Sequence, residues 1–117
     1  MSERNKIKNY LEIQSLKITP DEETVKKIIS IKNAIITAKK QNSRVLIFGN
    51  GGSAAIASHV SVDLTKNVKV KAMNFNEADL ITCFSNDYGY EKWIEKAIDF
   101  YGEKGDVVIL ISSSGKS

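Results

Sequence analysis

His59 and Asp63 are the residues whose types and spacing most directly suggest chemistry. Both lie in the stretch FGNGGSAAIASHVSVDLTKN, residues 48–67, and His59 is the only histidine of the chain. Residues four apart share one face of a helix, so the two side chains could contact the same ion or substrate. Imidazole and carboxylate are both zinc ligands, but two ligands do not complete a zinc site. The alternative interpretation is an ordinary surface pair on a helix.

A glycine-rich turn precedes this helix. Its candidate ligand-binding residues are Asn50, Gly51, Gly52 and Ser53, which follow the apolar run RVLIF. Exposed backbone N–H groups at the start of a helix favour an anion. The alternative is a tight connection in which glycine supplies a positive φ.

A second polar turn, SSSGKS, follows the apolar run GDVVILI and supplies four hydroxyl groups, from Ser112, Ser113, Ser114 and Ser117. Hydroxyls and backbone N–H groups can bind a phosphate monoester without a fixed charge. Lys116 either adds a charge-assisted contact or points into water. Because ligands of open α/β sheets bind at the carboxyl ends of strands, the two turns are predicted to form one site.

Neither turn matches a nucleotide-binding pattern in full. Gly49, Gly51 and Ala54 fit the dinucleotide pattern, but Met73 and Asn74 stand where a ribose-binding carboxylate is expected. The GKS triplet fails as a Walker A loop because Leu110 occupies the position of its first glycine. The sequence therefore does not favour NAD or ATP.

The elements that position these turns are predicted from hydrophobic periodicity. Helices are expected over residues 3–16, 53–65, 78–84 and 91–101. Another helix, the second along the chain, is expected to begin at a capping box formed by Thr19, Pro20 and Glu22. The second helix is expected to bury one face of Val25, Ile28, Ile29, Ile35 and Ile36, and the last to bury Trp93, Ile94, Ala97 and Ile98. Ser53 is the predicted cap of the third helix.

Strands are predicted over residues 44–48, 68–73 and 105–111, the first and last buried on both faces. Strand, helix, strand at this spacing is typical of a right-handed parallel crossover. Asn86 and Asp87, in SNDYGY, are predicted to lie in a loop that can border the site formed by the two turns.

Composition excludes several classes of protein. The chain has 117 residues, a formal net charge of +3 and a pI near 8.9, with no block of basic residues, so nucleic acid is not an expected partner. No apolar run reaches the ~18 residues of a membrane helix, and no signal peptide is evident. Cys83 is the only cysteine and is expected to be a buried thiol in a reducing compartment, which favours a cytoplasmic protein.

The predicted organisation is an N-terminal helical segment, residues 1–42, followed by the first part of a doubly wound, flavodoxin-like α/β domain, residues 43–117. A very apolar parallel strand such as the last one requires helices on both faces. We therefore expect a sheet truncated after its third strand, and hence a fragment of a longer domain.

The motifs VLIFGNGGSAAIASH, DLTKN, CFSNDYGYE and GDVVILISSSGKS together resemble the sugar isomerase (SIS) domain, and within it the phosphoheptose isomerase family. The resemblance implies isomerisation of sedoheptulose 7-phosphate to D-glycero-D-manno-heptose 7-phosphate through an enediol. It further implies a cytoplasmic homotetramer that serves the heptoses of lipopolysaccharide or capsule.

The resemblance also assigns roles to residues. It places substrate contacts at Asn50, Gly51, Gly52, Ser53, Asn86 and Asp87, and phosphate contacts at Ser112, Ser113, Ser114 and Ser117. It makes His59 a zinc ligand and Asp63 a zinc ligand that also contacts substrate and transfers a proton. The remaining ligands of the one zinc ion, a glutamine and a histidine, are implied to follow Ser117.

This sequence departs from the family pattern at two of these positions. Asp63 replaces a glutamate and is one methylene shorter, and Lys116 replaces the asparagine of the serine loop. Two other functions stay open: a non-catalytic SIS module that binds phosphosugars or associates with a replication initiator, and another phosphosugar ketose–aldose isomerase.

Overall fold

The computed structural model describes all residues, 1–117, as an α/β chain of five α-helices and three strands. The helices are α1 (Glu3–Lys17), α2 (Glu22–Lys40), α3 (Gly52–Asp63), α4 (Ala78–Tyr88) and α5 (Trp93–Tyr101), with a π-helical turn at Leu64–Val68 and a 3₁₀ turn at Tyr90–Lys92. The strands are β1 (Arg44–Gly49), β2 (Lys71–Asn74) and β3 (Val107–Ile111). The chain divides into two compact units, Met1–Lys32 and Asn33–Ser117.

The three strands form one parallel sheet in the order β2-β1-β3. Val45 pairs with both Ala72 and Val107, and at the far end Gly49 pairs with Ile111. β1 is thus the central strand, and α3 lies in its crossover to β2. This confirms the predicted parallel α/β architecture.

Alternate side chains of β1 supply two separate cores, one on each face of the sheet. Leu46 and Phe48 pack with Phe75, Trp93 and Ala97, against partly buried residues of α4 and α5. Val45 and Ile47 pack on the opposite face with Ala57 and Val70, and with Ile35 of α2. The prediction that the first strand is buried on both faces is confirmed, since five of its six residues are buried.

A partly buried ion pair joins the amino ends of β1 and β3. The Arg44 guanidinium donates to Asp106 Oδ2 at 2.6 Å, and the Arg44 backbone N–H donates to Asp106 Oδ1 at 2.9 Å. Burial alone would raise the pKa of the Asp106 carboxyl, but hydrogen bonds from Arg44 and from the Glu103 N–H outweigh it and hold this pKa below its ordinary value. The same contact raises the pKa of Arg44.

The start of α2 differs from the prediction. The helix begins at Glu22 rather than Pro20, because Asp21 takes the capping role: its Oδ1 accepts the Thr24 N–H at 2.6 Å. This bond also lowers the pKa of Asp21. The predicted buried face is wrong in large part, since only Ile35 is half-buried and the exposed residues are Val25, Ile28, Ile29 and Ile36.

α3 begins one residue earlier than predicted and ends in a different conformation. Gly51, with φ 58°, stands immediately before it, and Ser53 does not cap the helix. The helix is continuous only to Asp63, where the backbone turns into the π-helical segment. Lys69 adopts φ 60° and ends that segment, so β2 begins at Lys71 rather than Val68.

The structure of the second half of the chain differs from the prediction in three further places. α4 continues to Tyr88, where Gly89 with φ 92° ends it, so the SNDYGY segment is mostly helical rather than a loop. α5 begins at Trp93; Trp93 and Ala97 are buried, whereas Ile94 and Ile98 are half-buried. Cys83 is exposed, because Leu80, Ile81 and Phe84 form the face of α4 that meets the core.

β3 is shorter than predicted, and one of its faces is half-buried while the other is exposed. It starts at Val107, and Val107, Ile109 and Ile111 pack against the core that contains Val45. Val108 and Leu110 are exposed on the other face, where no helix of residues 1–117 covers them, and Leu110 borders a cavity.

Candidate functional site

The two polar turns leave the sheet at the same edge. Gly49 and Ile111 are paired across β1 and β3, so Asn50 and Ser112 are the first residues after two hydrogen-bonded strand ends. Carboxyl ends of adjacent parallel strands are where open α/β sheets bind ligands. The predicted convergence of the two turns on one edge is therefore present in the fold.

The GNGGS turn depends on close backbone approach. A Cβ added at Gly49 would lie 2.5 Å from the backbone of Ser53, so no larger residue fits without displacing the turn. The Ser53 N–H donates to the Asn50 carbonyl and the Ala54 N–H to the Gly51 carbonyl, both at 3.0 Å. These bonds lead the chain directly from β1 into the first turn of α3.

The Asn50 side chain is held from α5. The indole Nε1–H of Trp93 donates to Asn50 Oδ1 at 3.3 Å, and Trp93 itself is 1% exposed. Sequence reasoning placed Trp93 in the core but did not connect it with the glycine-rich turn. The only available signal was that a buried indole N–H requires an acceptor.

The serine turn is organised by its own hydroxyl groups. Ser112 Oγ lies 3.1 Å from Ser117 Oγ and accepts the Gly115 N–H at 2.9 Å, while Ser114 Oγ accepts the Lys116 N–H at 3.1 Å. All residues of the turn are exposed. Hydroxyl hydrogens rotate freely, so this turn can present donors to an oxyanion.

His59 and Asp63 lie together on one face of α3, as their spacing predicts. His59 Nε2 and Asp63 Oδ2 are 3.3 Å apart, and the two side chains are 81% and 53% exposed. A nitrogen and a carboxylate oxygen on adjacent turns suit a zinc ion in donor type. No group of three or more His, Cys, Asp or Glu side chains capable of holding a metal occurs in residues 1–117, so these two supply at most part of a ligand set.

Asn86 and Asp87 lie in the last turn of α4 rather than in a loop. Asn86 Nδ2 donates to Asp87 Oδ1 at 3.1 Å, and Cys83 Sγ donates to Asp87 Oδ2 at 3.7 Å. Both residues are exposed.

A cavity of about 640 Å³ lies between the two turns and α5. It brings together Asn50 from the first turn and Lys116 and Ser117 from the second. Trp93, Ile98 and Leu110 supply apolar walls, a mixture typical of small-molecule sites. His59, Asp63, Asn86 and Asp87 do not line this cavity.

Sequence reasoning missed a polar network that fastens α3 to the end of β2. Asn74 Nδ2 donates to Ser61 Oγ at 3.1 Å, and Asn76 Nδ2 donates to Ser58 Oγ at 2.6 Å and to the Ala54 carbonyl at 2.7 Å. This network fixes the helix that carries His59. The signal was the unusual pair of asparagines at the end of a strand.

Together, the parallel sheet and the two turns on one carboxyl edge define an open α/β domain, a class of fold that binds ligands at this edge. Residues 10–117 match the family model described as the SIS domain. The chain belongs to the SIS domain family.

Curated relatives agree with this assignment. The chain is 33% identical to the phosphoheptose isomerase of Clostridium acetobutylicum, over 95% of this chain and 63% of the relative. It is also 33% identical to that of Aquifex aeolicus, over 94% of this chain and 61% of the relative. The chain thus spans slightly more than three-fifths of the length of these two relatives.

Solved structures agree with the fold. The phosphoheptose isomerase of Francisella tularensis superposes with a TM-score of 0.79 at 25% identity, covering 100% of this chain and 65% of that one. The phosphoheptose isomerase GmhA of Neisseria gonorrhoeae gives a TM-score of 0.80 at 24% identity, over 99% and 64% of the two chains. The resemblance to SIS domains noted in the sequence is confirmed.

Proposed function

We infer that this chain forms part of a phosphoheptose isomerase that converts sedoheptulose 7-phosphate to D-glycero-D-manno-heptose 7-phosphate. The observation that carries the proposal is the pairing of Gly49 with Ile111, which places the glycine-rich and serine-rich turns side by side. Relatives at 33% identity that bear the name phosphoheptose isomerase support the same substrate.

In this proposal the serine turn binds the phosphate. Ser112, Ser113, Ser114 and Ser117 offer hydroxyl groups, and backbone N–H groups add further donors. Asn50, Gly51, Gly52 and Ser53 contact the sugar from the other turn, together with Asn86 and Asp87 of α4. Binding energy from the phosphate then positions the reacting end of the sugar.

Asp63 is the proposed proton-transfer residue. Ketose to aldose conversion requires removal of a proton from C1 and its return at C2, which a carboxylate can perform as base and then acid. The 53% exposure of Asp63 leaves its carboxyl accessible to a substrate.

His59 and Asp63 are the residues that would hold a zinc ion, because their donor types and 3.3 Å separation suit such a ligand pair. Bound zinc would polarise the substrate carbonyl and stabilise the negative charge that develops on its oxygen. Residues 1–117 contain no group of three metal-binding side chains. Further ligands would therefore have to come from outside these residues.

A non-catalytic phosphosugar-binding module is the second candidate. Such a module would use the serine turn without needing His59 or Asp63, whose presence together on one face of α3 favours the enzyme over the module. Another phosphosugar isomerase on the same fold would share the turns and differ in the sugar it accepts.

Replacing Asp63 with asparagine tests the catalytic proposal. We expect Asp63→Asn to lower kcat for sedoheptulose 7-phosphate by about 10²- to 10⁴-fold, because general acid–base catalysis contributes that much. The matched control is Asp79→Asn, an exposed acidic residue at the start of α4, which should leave turnover unchanged.

The outcomes separate the candidates. Unchanged turnover in Asp63→Asn would remove the proposed role of Asp63. Binding of the sugar phosphate by the parent protein without turnover, and without zinc on elemental analysis, would favour the binding module. If the protein converted a different phosphosugar and not sedoheptulose 7-phosphate, it would be another phosphosugar isomerase.

The wider assignment covers compartment and assembly. The resemblance favours a cytoplasmic homotetramer that supplies heptose for lipopolysaccharide or capsule. None of the helices is both long and apolar enough to cross a membrane. Exposed apolar side chains on α1, among them Ile7, Tyr10 and Leu11, support an oligomer.

A further inference from the structure

Trp93 carries the one indole of the chain, and its N–H points at the glycine-rich turn. The side chain is 1% exposed, and its Nε1–H donates to Asn50 Oδ1 at 3.3 Å. A buried indole N–H without a partner would be unfavourable, so this contact matters to both residues.

The chemistry of the donor fixes the orientation of the Asn50 amide. An indole N–H can only donate, and of the two ends of a side-chain amide only Oδ1 can accept. The flipped amide of Asn50 would place its Nδ2 donors against the indole N–H, which is also a donor. Oδ1 therefore faces the indole, and the two N–H donors of Nδ2 are directed away from it.

The indole is itself held rigidly. Its ring meets Phe48 edge to face, with centroids 6.1 Å apart, and it belongs to the core cluster that contains Leu46, Phe75 and Ala97. Asn50 follows the last residue of β1, so its backbone is fixed by the sheet. The donor thus lies on a packed helix, and the acceptor lies in the turn directly after the central strand.

Trp93 and Asn50 both line the cavity of about 640 Å³ that Ser117 also borders. We propose that Trp93 is a positioning residue, which orients the Asn50 amide so that it offers donors, not an acceptor, to a sugar-phosphate oxygen. The inference rests on the proposed function in one respect, the assignment of Asn50 as a substrate contact. An Asn50 amide oriented in this way selects for a carbonyl, hydroxyl or phosphate oxygen at the point where the ligand meets it.

A double-mutant cycle tests this proposal. In the full chain, Trp93→Phe removes the N–H but keeps an aromatic ring, and we expect the Kd for sedoheptulose 7-phosphate to rise about three- to tenfold. Asn50→Ala should raise it further. In the Asn50→Ala background, Trp93→Phe should then have no additional effect, because the amide that it orients is absent.

Phe75→Leu is the matched control. It reduces packing in the same cluster without removing a hydrogen bond to Asn50, so its effect on stability should resemble that of Trp93→Phe while the Kd stays unchanged. An effect of Trp93→Phe on Kd that persists fully with Asn50→Ala would overturn the positioning role, since it would then arise from the altered cavity wall or from general destabilisation.

A spectroscopic measurement tests the contact without any substrate. The single indole N–H gives one ¹⁵N–¹H resonance, and we expect Asn50→Ala to shift it and to speed its hydrogen exchange. An unchanged resonance would overturn the proposal whatever the substrate is. Failure of the parent protein to bind sedoheptulose 7-phosphate, with a shifted resonance, would instead overturn the proposed substrate and support the orientation of Asn50.

Discussion

At the scale of single residues, the glycine-rich turn shows that its glycines have different roles. Gly49 is required by close approach, since its missing Cβ leaves room for the backbone of Ser53. Gly51 is favoured by its φ of 58°, whereas Gly52 has open space and an ordinary φ. The motif alone does not reveal these differences, because they depend on the path from β1 into α3.

Gly49→Ala is therefore predicted to destabilise the protein. The added Cβ would lie 2.5 Å from the Ser53 carbonyl group, and relieving such a clash costs about 1–3 kcal/mol in the free energy of unfolding. Gly52→Ala is the matched control, and its change should stay within about 0.5 kcal/mol because nothing lies within 4 Å of the new atom. Urea unfolding measures both, and equal stabilities would contradict the steric argument.

At the scale of elements, the existence of the three strands was predictable, whereas several ends of helices and strands were not. Val45–Phe48 is an unbroken apolar run, and the sheet buries it on both faces as that pattern indicates. The end of α4 was missed because Asn86 and Asp87 favour turns locally, yet Phe84 and Tyr88 keep the last turn helical through aromatic contacts with each other and with Phe100. Tertiary packing outweighed local propensity there.

The two turns of the candidate site could be predicted from the sequence, but the side-chain contacts that hold them in place could not. Both polar turns follow strands in the sequence, so their shared edge follows from parallel pairing. The contact of Trp93 with Asn50 joins residues 43 positions apart, and nothing in either local sequence specifies it. The same holds for Asn76, whose partners in α3 are set by the crossover geometry.

The Arg44–Asp106 pair is expected to make stability depend on pH. Asp106 has a folded-state pKa below that of the unfolded chain, so its contribution is fully present above about pH 4 and is lost as the pH falls through the folded-state value. Asp106→Asn should cost about 1.5–3 kcal/mol at pH 7, since it removes a charge-assisted hydrogen bond from Arg44, which keeps only the Tyr101 carbonyl at 2.6 Å and the Glu103 carboxylate at 3.7 Å.

Unfolding in urea at pH 7 and at pH 3 measures this effect. The difference between parent and Asp106→Asn should shrink at the lower pH, because below about pH 4 the Asp106 carboxyl binds a proton more readily in the unfolded chain than in the folded protein. The exposed Asp79→Asn serves as the control and should match the parent at pH 7. A constant difference across this range would show that the charge of Asp106 does not stabilise the two strand ends.

At the scale of the whole molecule, apolar surface on α1 is the feature that single-chain packing leaves unexplained. The helix has no buried residue, and its Ile7, Tyr10 and Leu11 are 56%, 61% and 59% exposed. Lys8 and Glu12 form an ion pair at 3.8 Å on the same helix, so α1 presents both apolar and charged side chains. Such a helix is typical of an assembly surface.

This surface yields a prediction for the proposed homotetramer. The double variant Tyr10→Ser and Leu11→Ser should shift the protein to smaller species in size-exclusion chromatography with light scattering, because each substitution removes apolar area from the contact. The control, Lys6→Ser and Lys8→Ser, changes the same helix at charged positions and should retain the larger species. A parent protein that elutes as a monomer would contradict the assembly, and an unchanged tetramer in the first variant would place its contacts elsewhere.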